Sequence, residues 1–243
     1  MSFDQIAPHY RWMEFVLAGR KLQGCRTEFL GRLNDAEKVL IVGEGNGRFL
    51  LECRRKFSQA HVTCVDASER MLDLARARLR CRGLTDQRVE FLHADVLQWQ
   101  PPGKAYDLIV THFFLDCFRA DQLREVVAKL ATSARSGARW LLADFQVPVG
   151  RIARWRARII LWCMYSFFRA VTRLPAKELT TPDAFLIQAG FALEQRRLSE
   201  WGLLHSDLWR QGTGEGTIFS LDPPRKTSLG KGLVRQYQVA SDE

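Results

Sequence analysis

From residue 38 onward, short runs of consecutive apolar residues alternate with longer amphipathic stretches, and this alternation constrains the fold more than any other feature of the chain. Strand-like runs fall at KVLIV (38–42), HVTCVD (61–66), VEFLHAD (89–95), DLIVTHF (107–113) and RWLLADF (139–145). Runs with no polar face suit strands buried on both sides, and their alternation with helical stretches predicts parallel strands joined by crossover helices. Ser68 is placed to cap SERMLDLARARLRCRG, which stops near Gly83, and Asp121 to cap DQLREVVAKLATSA, which gives way to Gly137. Thr181 and Pro182 open a further helix that Gly190 closes. FALEQRRL (191–198) and GTIFSL (216–221) then read as two last strands. The expected class is α/β, a doubly wound, mostly parallel sheet in one domain.

A chain of 243 residues has room for one sizeable core with additions. Its six cysteines form no C-x-x-C pair, which argues for a reducing, cytoplasmic setting and against a structural zinc site, so no metal is expected. The opening MSFDQIAPHYRWMEF lacks the pattern of a secretory or transit signal. The longest apolar run, IILWCMYSFF (159–168), is well short of the roughly 18 residues that span a bilayer. A formal charge of +9 favours anionic partners, but much of it lies in residues 151–173 and 225–235, so nucleic acid is not expected on charge alone. Three parts fall outside the α/β core: a helical N-terminal segment (1–34) with Phe15, Leu22, Phe29, Leu30 and Leu33 available to dock, an insertion (146–180), and a tail (222–243) expected to be poorly ordered.

The first strand runs into a glycine turn, VLIVGEGNGRFL, with Gly43, Gly45 and Gly47 leading into a helix. Such a turn lets a ligand approach the backbone and offers helix N–H groups to an anion, whether dinucleotide, phosphate or a ligand without phosphate. Arg48 stands where G-x-G-x-x-G needs its last glycine, and the phosphate loop G-x-x-x-x-G-K-S/T is absent. The second strand ends in Asp66, where an acid accepts hydrogen bonds from ribose hydroxyls, and the third in Asp95 and Val96, beside an adenine edge or in a turn cap. Asp107 lies at the start of its strand, the wrong end for ligand chemistry, and reads as structural. Taken in order, VLIVGEGNGRFL, VTCVDAS, EFLHADV and YDLIVTHFFLDCF resemble the motifs of class I S-adenosylmethionine-dependent methyltransferases, well over residues 35–145 and more loosely to about 221. The resemblance implies a Rossmann-like seven-stranded sheet with an antiparallel last strand over residues 35–221, with S-adenosyl-L-methionine as cofactor. By the same resemblance Gly43, Gly45 and Gly47 line the methionine half, Asp66 with Ala67 binds the ribose, and Asp95 with Val96 reads the adenine.

Methyl transfer is an in-line displacement at a sulfonium, so positioning supplies much of the catalysis, and a base is needed only if the acceptor must lose a proton. At the end of strand four, THFFLDCF lacks the N/D-P-P-Y/F motif of amino methyltransferases, which argues against a base exocyclic amine. His112 can act as a general base with Asp116 orienting it, or the two can cap and pack. Cys117 lacks the neighbouring proline of cytosine-C5 enzymes and reads as a buried thiol. FDQIAPHYRWMEF resembles the FDxxAxxY opening of the ubiquinone/menaquinone-biosynthesis methyltransferases, which makes Tyr10, and after it His9 and Arg11, candidates for a lid over the cofactor; docked packing is the other reading. In the insertion, Arg151, Arg154, Arg158, Arg169 and Arg173 fall near one helical stripe with Trp162 and Tyr165 between them, while Ile159, Ile160, Leu161, Phe167 and Phe168 supply apolar sides. Such a helix can cover an apolar pocket, lie on an anionic membrane, or form a core or homodimer face. The expected function is methyl transfer to a small, largely apolar acceptor, quinol-like, aromatic or lipid-derived, at an oxygen or carbon centre. An RNA or protein methyltransferase and a non-catalytic cofactor-binding or interaction protein are the rival readings.

Overall fold

The computed structural model describes residues 19–148, 150–160 and 179–212. Seven strands form one sheet in the order β3-β2-β1-β4-β5-β7-β6. They are β1 (Lys38–Val42), β2 (His61–Asp66), β3 (Val89–His93), β4 (Tyr106–His112), β5 (Ala134–Phe145), β6 (Phe191–Ser199) and β7 (Leu204–Gln211). The first five are parallel, and β7 runs antiparallel to both β5 and β6. The helices are α1 (Gly19–Thr27), α2 (Arg48–Lys56), α3 (Glu69–Arg80), α4 (Ala120–Thr132), α5 (151–160) and α6 (Asp183–Gln188).

The period of two in a strand explains why the central runs have no polar face. Val39 and Ile41 of β1 enter one core with Phe49, Leu50, Leu72 and Val110, under α2 and α3. Leu40 and Val42 enter the opposite core with Ile109, Leu123, Val126 and Trp140, under α4. Each such side chain contributes about 1.5–3 kcal/mol by leaving water, so a register slip of one residue, which would exchange the two faces, is strongly opposed. Trp140, fully buried, keeps its indole N–H satisfied by donating to the Thr111 hydroxyl at 2.8 Å.

A third, smaller core ties the additions to the ends of the central strands. Leu22 and Cys25 of α1, Ala143 and Phe145 of β5, Leu203 and Leu204 entering β7, and Ala157 of α5 are buried together, with Phe113, Ile160 and Leu179 packed against them. Helix α1 is also latched to β7, since the Ser206 hydroxyl donates to the Cys25 carbonyl at 2.8 Å and lies 2.9 Å from the Cys25 sulfur. Leu22, Phe29, Leu30 and Leu33 dock as expected, while Phe15, Tyr10, His9 and Arg11 lie outside the described residues.

Several boundaries depart from the sequence reading. The strand expected at 216–221 falls outside the described residues; the strand that completes the sheet is β7, Leu204–Gln211. Its polar trio His205, Ser206 and Asp207 hides it from a hydropathy reading, because all three are buried: Ser206 is met by Cys25 of α1, Asp207 by Arg196 of β6, and His205 by Asp207 itself. Asp121 is not the cap of α4: Arg119 holds that position, and Asp121 sits inside the first turn, where its carboxylate accepts from Arg119 at 3.0 Å. Gly137 lies within β5 rather than after the helix, its φ of 75° accompanying the irregular pairing of β4 with β5. Ser68 caps α3 as expected, accepting from the Met71 amide at 3.3 Å. Arg169, Arg173, Trp162 and Tyr165, together with the 222–243 tail, lie outside the described residues.

Candidate active site

The C-terminal ends of β1, β2, β4 and β5 lie side by side, and Gly43, Gly45, Gly47, Asp66, Ala67, His112 and Asp116 stand at or just after the ends of the first three. Gly43, Gly45 and Gly47 all take positive φ (69°, 68° and 79°), a region costly to residues with a Cβ. A Cβ on Gly47 would lie 2.6 Å from the Ala75 backbone, so this glycine is also what lets α3 pack against the turn. A Cβ on Gly43 would lie 2.1 Å from the Phe114 ring, which brings the turn after β4 directly against the turn after β1.

Which ligand this turn accepts is decided by Glu44. Its carboxylate accepts from the Phe49 and Leu50 amides at 2.8 and 2.9 Å, the second and third N–H groups of α2. These are donors that a phosphate would use at a helix N-terminus. Here the chain supplies its own anion, and that disfavours a phosphate at this position. Burial pushes the Glu44 carboxyl up to about 7, against the lowering effect of the amides and of the Arg26 guanidinium. Across the turn, Asp66 accepts from the Gly45 amide at 3.0 Å and from Ser68 at 2.9 Å, which fixes the acid at the edge of the glycine turn. Its pKa is raised by burial, with the amide donors opposing the shift. Positive-φ glycines that leave the backbone bare, an occupied helix N-terminus and an acid at the next strand end fit a nucleoside with an amino-acid tail better than a nucleotide.

The remaining candidates are arranged less simply. Asp95 is exposed and accepts from the Leu97 amide at 3.0 Å, the turn-capping arrangement, while Val96 is buried beside it with its carbonyl held by Lys129 at 3.1 Å. Asp107 accepts from the Glu37 and Lys38 amides, the structural role expected of it. His112 ends β4 beneath α2, its ring meeting Phe49 edge-on at 4.6 Å between centroids. Burial, helped by Arg26, holds its pKa well below the usual histidine range, so the ring is neutral. Its Nδ1 is buried with no hydrogen-bond partner among the described residues. Phe113, with φ 53°, occupies the left-handed region, a strain of about 1–3 kcal/mol for a bulky residue, and the Arg26 guanidinium sits 5.0 Å over its ring. The strained corner turns the chain so that Asp116 comes back under β5, where its amide donates to Asp144 at 3.2 Å.

Both of these acids are buried. Desolvation raises the Asp116 carboxyl to about 6, opposed by the Cys117 thiol, which donates to it at 3.6 Å. Asp144 is raised well above the carboxylate range by burial and then by the Asp116 charge. Burial and the adjacent acids push the Cys117 thiol far up, in keeping with a packed, unreactive cysteine. Sequence reasoning missed Glu44, Arg26 and Asp144. For Glu44 and Asp144 a signal existed, an acid just upstream of a helix start and an acid at the end of an apolar strand. Arg26 carried none, because only the docking of α1 brings it here. A groove lined by Arg124, Ala128, Thr132, Phe185 and Gln188 lies between α4 and α6. It reaches the opposite, N-terminal end of β4, where the Thr132 carbonyl accepts from Lys104, away from these acids.

Sheet order, glycine turn and strand-end acids define a class I S-adenosylmethionine-dependent methyltransferase domain. Residues 39–137 match the family described as methyltransferase domain. The chain is 30% identical over 148 residues to a demethylmenaquinone methyltransferase of Thermus thermophilus, covering 60% of this chain and 65% of that one. It is 25% identical over 112 residues to a carboxy-S-adenosyl-L-methionine synthase of Nautilia profundicola, covering 46% of each. It thus spans less than two thirds of either relative. An O-methyltransferase family protein of Burkholderia thailandensis superposes with a TM-score of 0.63 at 20% identity, over 86% of this chain and 60% of that one. The N-methyltransferase NodS of Bradyrhizobium japonicum, in complex with S-adenosyl-L-homocysteine, does so at 0.55 and 14%, over 79% and 84%. At such identities the shared property is the fold.

Proposed function

We propose that the protein transfers the methyl group of S-adenosylmethionine to a small, largely apolar acceptor, at an oxygen or carbon centre of a quinol-like, aromatic or lipid-derived compound. The observation that carries this reading is the corner after β4. There a buried acid, Asp116, stands among Phe113, Phe114 and Phe118, and Phe114 presses on Gly43 of the cofactor turn. When bound, the cofactor supplies an electrophilic methyl group on a sulfonium that departs as a neutral thioether. Gly43, Gly45 and Gly47 would hold the methionine half, Asp66 with Ala67 the ribose, and Val96 beside Asp95 the adenine. Aromatic side chains orient the acceptor and exclude water, which is where a displacement of this kind gains most of its rate. The sequence made His112 the candidate base and Asp116 its orienting partner; with His112 held neutral and Asp116 raised by burial, we assign the base role to Asp116 instead. A carboxyl near 6 is largely ionised at neutral pH yet basic enough to take a hydroxyl proton. His112 stays neutral and serves to fill and orient.

Calorimetric titration with S-adenosylmethionine tests the cofactor assignment. Losing charge-assisted hydrogen bonds to the ribose costs about 1.5–3 kcal/mol, so Asp66→Ala should bind on the order of 10- to 100-fold more weakly. Asp66→Asn, which keeps an acceptor for the Gly45 amide, separates this loss from a folding defect. Unchanged binding in both variants overturns the assignment. Incubating cell extract with methyl-labelled cofactor tests the acceptor: label is expected in the solvent-extractable small-molecule fraction, and label in RNA or protein overturns it.

A further inference from the structure

The described part of the insertion carries a surface that methyl transfer does not use. In α5, Ala157 is buried in the third core while Ile152, Trp155 and Ile159 are 78%, 69% and 42% exposed. At 100° per residue these three fall within one narrow sector of the helix opposite Ala157. Arg151, Arg154 and Arg158 are exposed along one border of that sector, and Arg156 lies on the other. Arg156 reaches the tip of the β6–β7 hairpin, donating to the Glu200 carbonyl at 3.4 Å with its guanidinium 5.5 Å from the Trp201 ring. Trp201 is 73% exposed, and both it and Glu200 take positive φ (61° and 51°), an unfavourable backbone for such residues. Four large apolar side chains from two elements therefore face outward together, bordered by arginines. The sequence has no acidic residue between Asp144 and Glu178, and the Glu200 carboxylate is engaged by Lys21 at 2.6 Å.

We propose that this face, Ile152, Trp155 and Ile159 of α5 with Trp201 of the hairpin tip, docks the protein on the surface of an anionic lipid bilayer. Helices that lie in the headgroup region combine an apolar sector with basic borders, and tryptophan is the side chain enriched at that depth. The charge complementarity is one-sided, four arginines facing anionic headgroups with no acid on the helix. Two isoleucines and two tryptophans gain more from acyl chains than from a phosphate backbone, which separates a bilayer from nucleic acid. The described stretch of α5 spans about 15 Å at 1.5 Å per residue, and no helix among the described residues is long and apolar enough to cross a membrane; the contact proposed is a peripheral one. Through the third core the same helix packs on the end of β5, next to Asp144. Docking would thus bring the strand ends that carry the active site to the lipid.

The test uses the full chain in flotation with vesicles of phosphatidylcholine alone and of three parts phosphatidylcholine to one of phosphatidylglycerol. Binding to the anionic vesicles is expected at least tenfold tighter than to the neutral ones, and weaker as salt rises. Trp155→Ala/Trp201→Ala and Arg151→Glu/Arg158→Glu should each lose about tenfold or more. Ile152→Ser/Ile159→Ser is the second apolar variant, and circular dichroism checks that each retains its fold. Equal binding to both vesicles, no binding, or binding untouched by the folded variants overturns the proposal. So does tighter binding to an RNA oligonucleotide than to anionic vesicles, or a dimer in sedimentation that Trp155→Ala/Trp201→Ala dissociates, since the face would then belong to nucleic acid or to a second copy. None of these readouts involves methyl transfer, so failure here and failure of the cofactor assignment are distinguishable.

Discussion

Two groups of buried acids sit in neighbouring parts of the sheet and behave in opposite ways. Asp207, on β7, is fully buried, yet its pKa is lowered. The Arg196 guanidinium meets it through two short bonds of 2.7 and 2.6 Å and meets Asp183 of α6 through two more at 2.9 Å, while His205 and Trp209 take up what remains. Asp116 and Asp144 are comparably dry but are raised, because backbone amides and a thiol oppose their desolvation only in part and Asp144 also lies in the field of Asp116. One arrangement neutralises a charge with an arginine fork and locks the hairpin to α6 and the sheet. The other leaves Asp116 poised to change protonation near pH 6 beside an acid that burial raises further, the condition a proton acceptor needs and a structural acid does not.

The largest expected effect breaks the first group. Asp207→Ala takes the fully buried partner from Arg196, leaving it Asp183 alone, and unpairs the buried His205 and Trp209 N–H groups, so it should cost about 3–5 kcal/mol of stability, measured by urea unfolding. A loss below 1 kcal/mol would mean that the fork is solvated in solution and the contrast is false. Asp116→Asn probes the second group and should act in opposite senses on rate and stability. Removal of a general base typically costs about 10²- to 10⁴-fold in rate, and the acid limb of the pH–rate profile, expected near pH 6, should vanish. Because the folded protein holds this proton where the unfolded chain releases it, wild-type stability falls as pH rises from about 4 through about 6. Asp116→Asn should therefore melt higher than wild type at pH 7.5 and lose that advantage near pH 4; a variant that melts lower at both pH values would count against a raised carboxyl. The smallest effect belongs to Cys117→Ala. Without the thiol donor the Asp116 carboxyl moves up, and the acid limb should shift to higher pH by less than about one unit.

The strands β1 and β2 were legible to the residue because their side chains need only apolar surroundings on both faces, which any packed helices provide. β7 was not legible, since Ser206 and Asp207 look like a loop until α1 and Arg196 arrive to satisfy them and His205 turns onto Asp207. The same distinction divides the candidate site. Gly43, Gly45, Gly47 and Asp66 stand at the ends of strands, positions that local pattern defines. Asp144 and Arg26 enter only through long-range docking, as does the preference for Asp116 over His112 as proton acceptor, which depends on how deeply each side chain is buried.

By itself the sequence determined the layered α/β sheet, the glycine turn after β1 and the acid at its edge, because periodicity and backbone conformation are local properties. Only the tertiary structure decided that Glu44 occupies the helix N-terminus a phosphate would need, that two acids share the corner behind β4, and that α5 and Trp201 face outward together. Each of these depends on groups far apart in the chain meeting where water is excluded or admitted, and desolvation is a property of the assembled fold.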